Sequence, residues 1–188
     1  DDPRVQAMLI AFCFGGLLEA LAGFGAPVAI TGVMLMAIGF SALRAAVVVL
    51  VANTAPVAFG AIAIPIITAG NLTKIPYQHI GAYVGHQTPI LAAFVPLVLV
   101  FLADGKRGFK QLWPVALATG LAFGVAQWVS ATWLSVELTD IIASLVGLGV
   151  AVLFLRFWQP QGGVDALASL HADRDAELAA MTDKERAA

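Results

Sequence analysis

The chain has 188 residues, 60% hydrophobic and 12% charged, with a net charge of -2 and a mean hydropathy of +0.90. Soluble domains carry roughly a quarter charged residues, so this composition belongs in a membrane, and the acidic balance argues against nucleic acid as a partner. The apolar runs are long, punctuated by Gly and Pro, and lack the alternation of barrel strands, which predicts an all-α, polytopic helical membrane protein.

The chain begins at Asp1 with an apolar run under way by Val5 and no basic leader, and is therefore read as a piece of a longer protein. Its first apolar stretch runs from Val5 to Phe40. About 20 helical residues cross the hydrocarbon core, so this stretch suits neither one span nor two. Residues 19–27 read EALAGFGAP and break it with two glycines and a proline. The expectation is a re-entrant hairpin with Gly23 to Pro27 at its tip, since irregular backbone at membrane depth is tolerated only against protein or an aqueous cavity. Glu19 stands one turn before the break. An ionisable side chain at that depth is a functional candidate, and Glu19 is expected to carry the coupled proton. The single cysteine, Cys13, lies in the apolar run and is read as a packing residue.

The second stretch, Leu43 to Ala69, is interrupted in the same way at Asn53 to Pro56, within VANTAPVAFG, and is expected to form a discontinuous transmembrane helix. The segments GAPVAI (Gly25 to Ile30) and TAPVAF (Thr54 to Phe59) share Ala-Pro-Val-Ala. Proline is tolerated in a first helical turn because its missing N–H would be unbonded there anyway. Pro27 and Pro56 are thus expected to begin two half-helices at mid-membrane. Helix N-termini attract anions, and broken helices at the midplane are where secondary transporters hold substrate. Gly23, Phe24, Gly25, Ala26, Asn53, Thr54 and Ala55 are the expected substrate-binding residues of these breaks.

Three further spans are expected at Ile80 to Ala103, Trp113 to Leu134 and Leu138 to Trp158. The basic loop DGKRGFK, Asp104 to Lys110, sets a cytoplasmic side by the positive-inside rule. The same side then receives Arg4, Arg44 and Arg156, with Lys74 the exception, while Ser135 to Asp140 is placed in an outer loop. Trp113, Trp128, Trp133 and Trp158 fall near span ends as interfacial anchors, and His79 is read as an interfacial polar residue. Gly81-x-x-x-Gly85 and Gly120-x-x-x-Gly124 predict close helix packing. Residues 1–158 form the expected membrane domain, and residues 159–188 a polar cytoplasmic loop or tail, read as a solvated helix. No nucleophile–base pair, metal-ligand spacing or phosphate loop is present, so neither an enzyme nor a cofactor is expected.

EALAGFGAPVAI, ANTAPVAFGAIAIPIITAG and VELTDIIASL resemble the lactate permease family of bacterial 2-hydroxy-monocarboxylate transporters, over about Val5 to Trp158. The resemblance implies a secondary active transporter importing lactate, and glycolate with it, by proton symport through the bacterial inner membrane. Its implied partners are the small carboxylate, protons and the lipid bilayer. The Asn-Thr pair beside a broken helix is also similar to the ion transporters that use hairpins and discontinuous helices. The family pattern has Gly-Arg-Gln-Leu-Pro where this chain has Gly85-His86-Gln87-Thr88-Pro89. His86 and Gln87 are carried over as substrate-binding residues, with a titratable group in place of a permanent cation. The alternative is a non-transporting membrane subunit or channel whose helix breaks are structural.

Overall fold

The computed structural model describes residues 2–23, 25–160 and 162–187, with side chains described through residue 180. Among these residues the chain is helical and without strands. Pro3–Ala22, Tyr77–Leu134 and Thr139–Phe157 are long and apolar enough to cross a membrane. This is an all-α membrane protein.

Helix α1, Pro3–Ala22, is capped by Asp2, whose Oδ1 accepts the Arg4 N–H at 2.9 Å. A π-helical turn over Leu9–Phe14 lies within it. It stops at Gly23, where φ of 57° and ψ of -159° suit only glycine. Helix α2, Ala26–Ala37, restarts with Pro27 in its first turn, as the sequence predicts. At about 1.5 Å per residue, α2 is roughly 18 Å long, short of a crossing.

Ser41 caps α3, Ala42–Ala52. Here the sequence reading needs correction. Pro56 opens only a single turn, closed by Gly60 N–H on Pro56 O at 3.0 Å, and the next lasting helix is α4, Ile64–Thr73, with Pro65 in its first turn. The reason is Gly60, whose φ of 57° ends that turn, followed by Ile62 and Ala63, both at positive φ.

Tyr77–Val129 continues through a π-helical turn, Ser130–Leu134, but is broken at Asp104 and Gly105. It is therefore two antiparallel helices, α5 (77–103) and α6 (106–134). The charged stretch expected as a loop is mostly helix end, because Gly105, at φ of 58°, turns the chain within two residues. Helix α7 is Thr139–Phe157 and α8 is Gly163–Ala187.

Within a bilayer the hydrophobic effect does not draw helices together, so close packing of small residues must. The two glycine pairs serve this in α5 and α6. A Cβ at Gly120 would collide with Ala93 O, one at Gly124 would lie 2.8 Å from Pro89 O, and those at Gly81 and Gly85 would strike Val136 and Ala131. The core joins Phe12, Leu35, Val48, Val95, Phe123 and Ala143, and the Phe12 and Phe123 rings stand 4.8 Å apart.

Basic residues gather at one end. Arg4, fully buried, forms ion pairs with Asp2 at 2.6 Å and Asp104 at 2.7 Å and donates to Gln111 at 2.7 Å. Helix α8 closes this end through Arg44–Asp173 and Arg107–Asp165 pairs, and Gly39 lies against the His171 ring. It is not a freely solvated tail: Ala166 and Leu170, one turn apart, are buried. The outer ends of α1 and α2 both meet this end, so the two helices form a hairpin whose bend points away from it.

Candidate functional site

The two breaks in the helices meet. A Cβ at Gly23 would lie 2.9 Å from the Ala61 Cβ, and Gly60, with φ of 57° and ψ of -155°, repeats the backbone conformation of Gly23. The counterpart of GFGAP is therefore GAIAIP, residues 60–65, rather than the TAPVAF that the shared letters suggest. Two half-helix N-termini, at Ala26 and Ile64, start beside this contact, each with a proline in the first turn. Gly25, at φ of 85°, is exposed, and a Cβ added there would meet nothing within 4 Å.

Beneath the breaks lies a buried polar cluster. Glu19 is 6% exposed. A Cβ at Gly16, one turn before Glu19, would stand 2.8 Å from Ser144 Oγ of α7. The helices run antiparallel, so this register brings Glu19 level with Asp140, one turn before Ser144. Asp140 is 2% exposed and within electrostatic range of Glu19. Gln127 of α6, fully buried, donates Nε2–H to Asp140 Oδ1 at 2.8 Å and to Ala55 O at 3.4 Å. The Ala55 carbonyl fixes which end of the carboxamide is the donor, and ties the cluster to the second break. Glu19 Oε2, Gln127 Oε1, Asp140 Oδ2 and Ser144 Oγ are buried without a hydrogen-bond partner. Each such group costs about 1–3 kcal/mol when left unmade.

Of the residues singled out from sequence, Glu19, Gly23 and Ala55 are buried and belong to this region. Ala26 starts α2, and Asn53 is half-buried with Oδ1 unpartnered. Thr54 is exposed, its hydroxyl donating to Val51 O at 2.7 Å. Phe24 lies outside the described residues. His86 and Gln87 are not brought to the breaks: both are exposed on α5, with His86 edge-on to Trp128 at 6.1 Å in an open apolar groove of about 400 Å³.

Gln127, Asp140 and Ser144 escape the sequence reading. The charge pattern places Asp140 in an outer loop with Glu137, yet it sits in the first turn of α7 and inside the protein. A signal exists, since Asp140 is followed directly by the apolar run of the last span, and Gln127 is a lone amide in the apolar run of α6. Glu137 itself does remain in the loop, where the Tyr77 hydroxyl at 2.6 Å and the Ser135 hydroxyl at 2.8 Å hold its carboxyl below the usual carboxylate range.

The family model described as L-lactate permease matches residues 1–186. The chain is 49% identical over 167 residues to the glycolate permease GlcA of Escherichia coli K12, covering 89% of the chain and 30% of that protein. It is 47% identical over 161 residues to an L-lactate permease of Bacillus subtilis, covering 86% of the chain and 29% of the relative. An L-lactate permease of Halalkalibacterium halodurans is 39% identical over 163 residues, covering 85% and 31%. The chain thus spans roughly a third or less of the length of these relatives. No solved structure matches it.

Proposed function

The chain belongs to the L-lactate permease family, and we propose that the protein is a secondary active transporter that imports lactate and related 2-hydroxy monocarboxylates, glycolate among them, by proton symport. The observation that carries this reading is the meeting of two broken helices directly above the buried Glu19. Lactate presents a carboxylate and a neighbouring hydroxyl. Backbone donors and the positive dipole ends of α2 and α4 suit the carboxylate. Asn53, with its unpartnered Oδ1, suits the hydroxyl. Gly23, Gly25, Ala26, Thr54 and Ala55 frame the site, and the open space at Gly25 leaves room for a ligand. The α1–α2 hairpin is re-entrant in this reading, the basic end faces the cytoplasm, and the bilayer is the bacterial inner membrane.

Glu19 carries the coupled proton. A carboxylate beside a bound carboxylate repels it, so protonation of Glu19 and binding of lactate assist each other, a reciprocal linkage. The test is uptake by the full-length protein in proteoliposomes. Saturable L-lactate counterflow and accumulation driven by a proton gradient are expected. Glu19→Gln, which resembles the protonated side chain, keeps counterflow and loses accumulation. Gradient-driven accumulation persisting in well-expressed Glu19→Gln removes Glu19 from coupling. An ohmic current without counterflow favours the channel alternative.

A further inference from the structure

Glu19 does not stand alone. Its unpartnered Oε2 is accompanied by Gln127 Oε1, Asp140 Oδ2 and Ser144 Oγ, four buried oxygens on three helices. The donors of the cluster are few: the Gln127 amide hydrogens go to Asp140 Oδ1 and Ala55 O, leaving the Ser144 hydroxyl hydrogen. A water offers two hydrogens and no charge, which does not match two carboxyls in one apolar setting.

Among the described residues, the surrounding helices bring no cation to the cluster. Arg4 is bound to Asp2 and Asp104, Arg44 to Asp173 and Arg107 to Asp165, all at the basic end. Lys106 and Lys110 belong to the start of α6 at that end, and Arg156 is exposed in the last turn of α7. On α5, His86 is exposed against Trp128, His79 is exposed in the first turn, and Tyr77 bonds Glu137. Helices α2 and α4 bring no ionisable side chain, and Cys13 of α1 is buried in the core. Among the described residues no group of three or more His, Cys, Asp and Glu could hold a metal ion. Two carboxyls sharing one site do not both ionise readily and so hold one proton between them, and together with two neutral oxygens they offer the oxygen ligands that a hard cation takes.

We propose that Glu19, Gln127, Asp140 and Ser144 form one buried, oxygen-lined site for a single monovalent cation, a proton shared by the two carboxyls or a sodium ion held by the same oxygens, and that Asp140 is a second ion-coupling residue. The contact of Gln127 with Ala55 O links this site to the substrate break: when Asp140 changes charge, the carboxamide that bridges the two must readjust. The inference rests on the transport reading for its purpose but not for its existence.

The decisive measurement therefore uses no lactate. Infrared difference spectra of the full-length protein across a pH step, in sodium-free buffer, are expected to contain a protonated-carboxyl stretch. Asp140→Asn and Glu19→Gln should each lose or shift it, and Asp140→Glu should restore it in displaced form. If sodium is the ion, adding it abolishes the band, and Ser144→Ala weakens sodium's effect several-fold; if the proton is the ion, sodium changes nothing and Ser144→Ala leaves the band in place. Ser144→Ala removes a buried hydroxyl that bonds no protein group and so strands no partner, and the protonated-carboxyl band that the variant keeps in sodium-free buffer separates a sodium defect from misfolding. A spectrum that Asp140→Asn leaves unchanged overturns the proposal, even where lactate transport is intact. In proteoliposomes, Asp140→Asn is expected to retain counterflow and lose gradient-driven accumulation. Normal accumulation in that variant overturns Asp140's coupling role.

Discussion

Replacing Gly23 with alanine tests whether the meeting of the two breaks holds the fold together. Gly23, at φ of 57° and ψ of -159°, occupies a region nearly closed to other residues. Forcing a residue there costs about 1–3 kcal/mol. The new Cβ would also sit 2.9 Å from that of Ala61, and such overpacking costs about another 1–3 kcal/mol. Gly25 is the internal control, because at φ of 85° and ψ of -5° alanine there costs only about 1–2 kcal/mol and meets nothing within 4 Å. Mid-range values differ by roughly 2.5 kcal/mol, about sixtyfold in the unfolding equilibrium. Equilibrium unfolding of the full-length protein in mixed micelles should rank Gly23→Ala well below Gly25→Ala. Ala61→Gly placed in Gly23→Ala should recover the steric part alone, which a double-mutant cycle isolates. Equal stability of the two alanine variants, or no rescue by Ala61→Gly, refutes the contact between the breaks.

At the basic end, Arg4→Ala should cost about 3–5 kcal/mol because it strands buried Asp2 and partly buried Asp104, whereas Arg107→Ala, at an exposed pair, should cost less than about 1 kcal/mol; thermal denaturation of both variants checks the contrast. At the other end, the depressed Glu137 carboxyl contributes stability that is present above its unfolded value and lost as pH falls through its lower folded value. The stability gap between the parent and Tyr77→Phe should therefore close as the pH is lowered through the carboxylate range, and a gap independent of pH counts against the contact.

How much of this was legible in the sequence follows from which forces are local. Helix ends and breaks are local. Gly23 and Pro27 announce the end of α1 and the start of α2, and the expected span Ile80 to Ala103 falls within the observed 77–103. The glycine pairs were readable because a missing Cβ on one helix face has one main use in lipid, close approach. Pro56 misled because a proline fits any first turn, and only the backbone at Gly60 decides that the turn after Pro56 closes without propagating. The local signal that pairs the two breaks is the glycine-to-proline spacing, four positions from Gly23 to Pro27 and five from Gly60 to Pro65, rather than the shared letters.

The burial of Asp140 is another kind of problem. Its local sequence, a carboxylate three residues after Glu137 and before an apolar run, suits an outer loop and a first helical turn equally, since acidic residues favour helix N-termini in either place. What separates the two carboxyls is register. Glu137 stays at the surface because Tyr77 and Ser135 satisfy it there, whereas Asp140 is drawn inside where α7 lies so close to α1 that Gly16 faces Ser144 without a side chain between them. Nothing within the local sequence of α7 encodes that approach; it requires glycine on the other helix. Gly16 thus has a consequence distant from its own position: it admits Ser144, and through the antiparallel register sets Asp140 level with Glu19. A bulky residue at position 16 should push α7 outward and separate the two carboxyls, so Gly16→Val is expected to abolish gradient-driven accumulation while leaving both carboxyls in the chain. Accumulation that survives Gly16→Val would mean that coupling does not depend on their proximity.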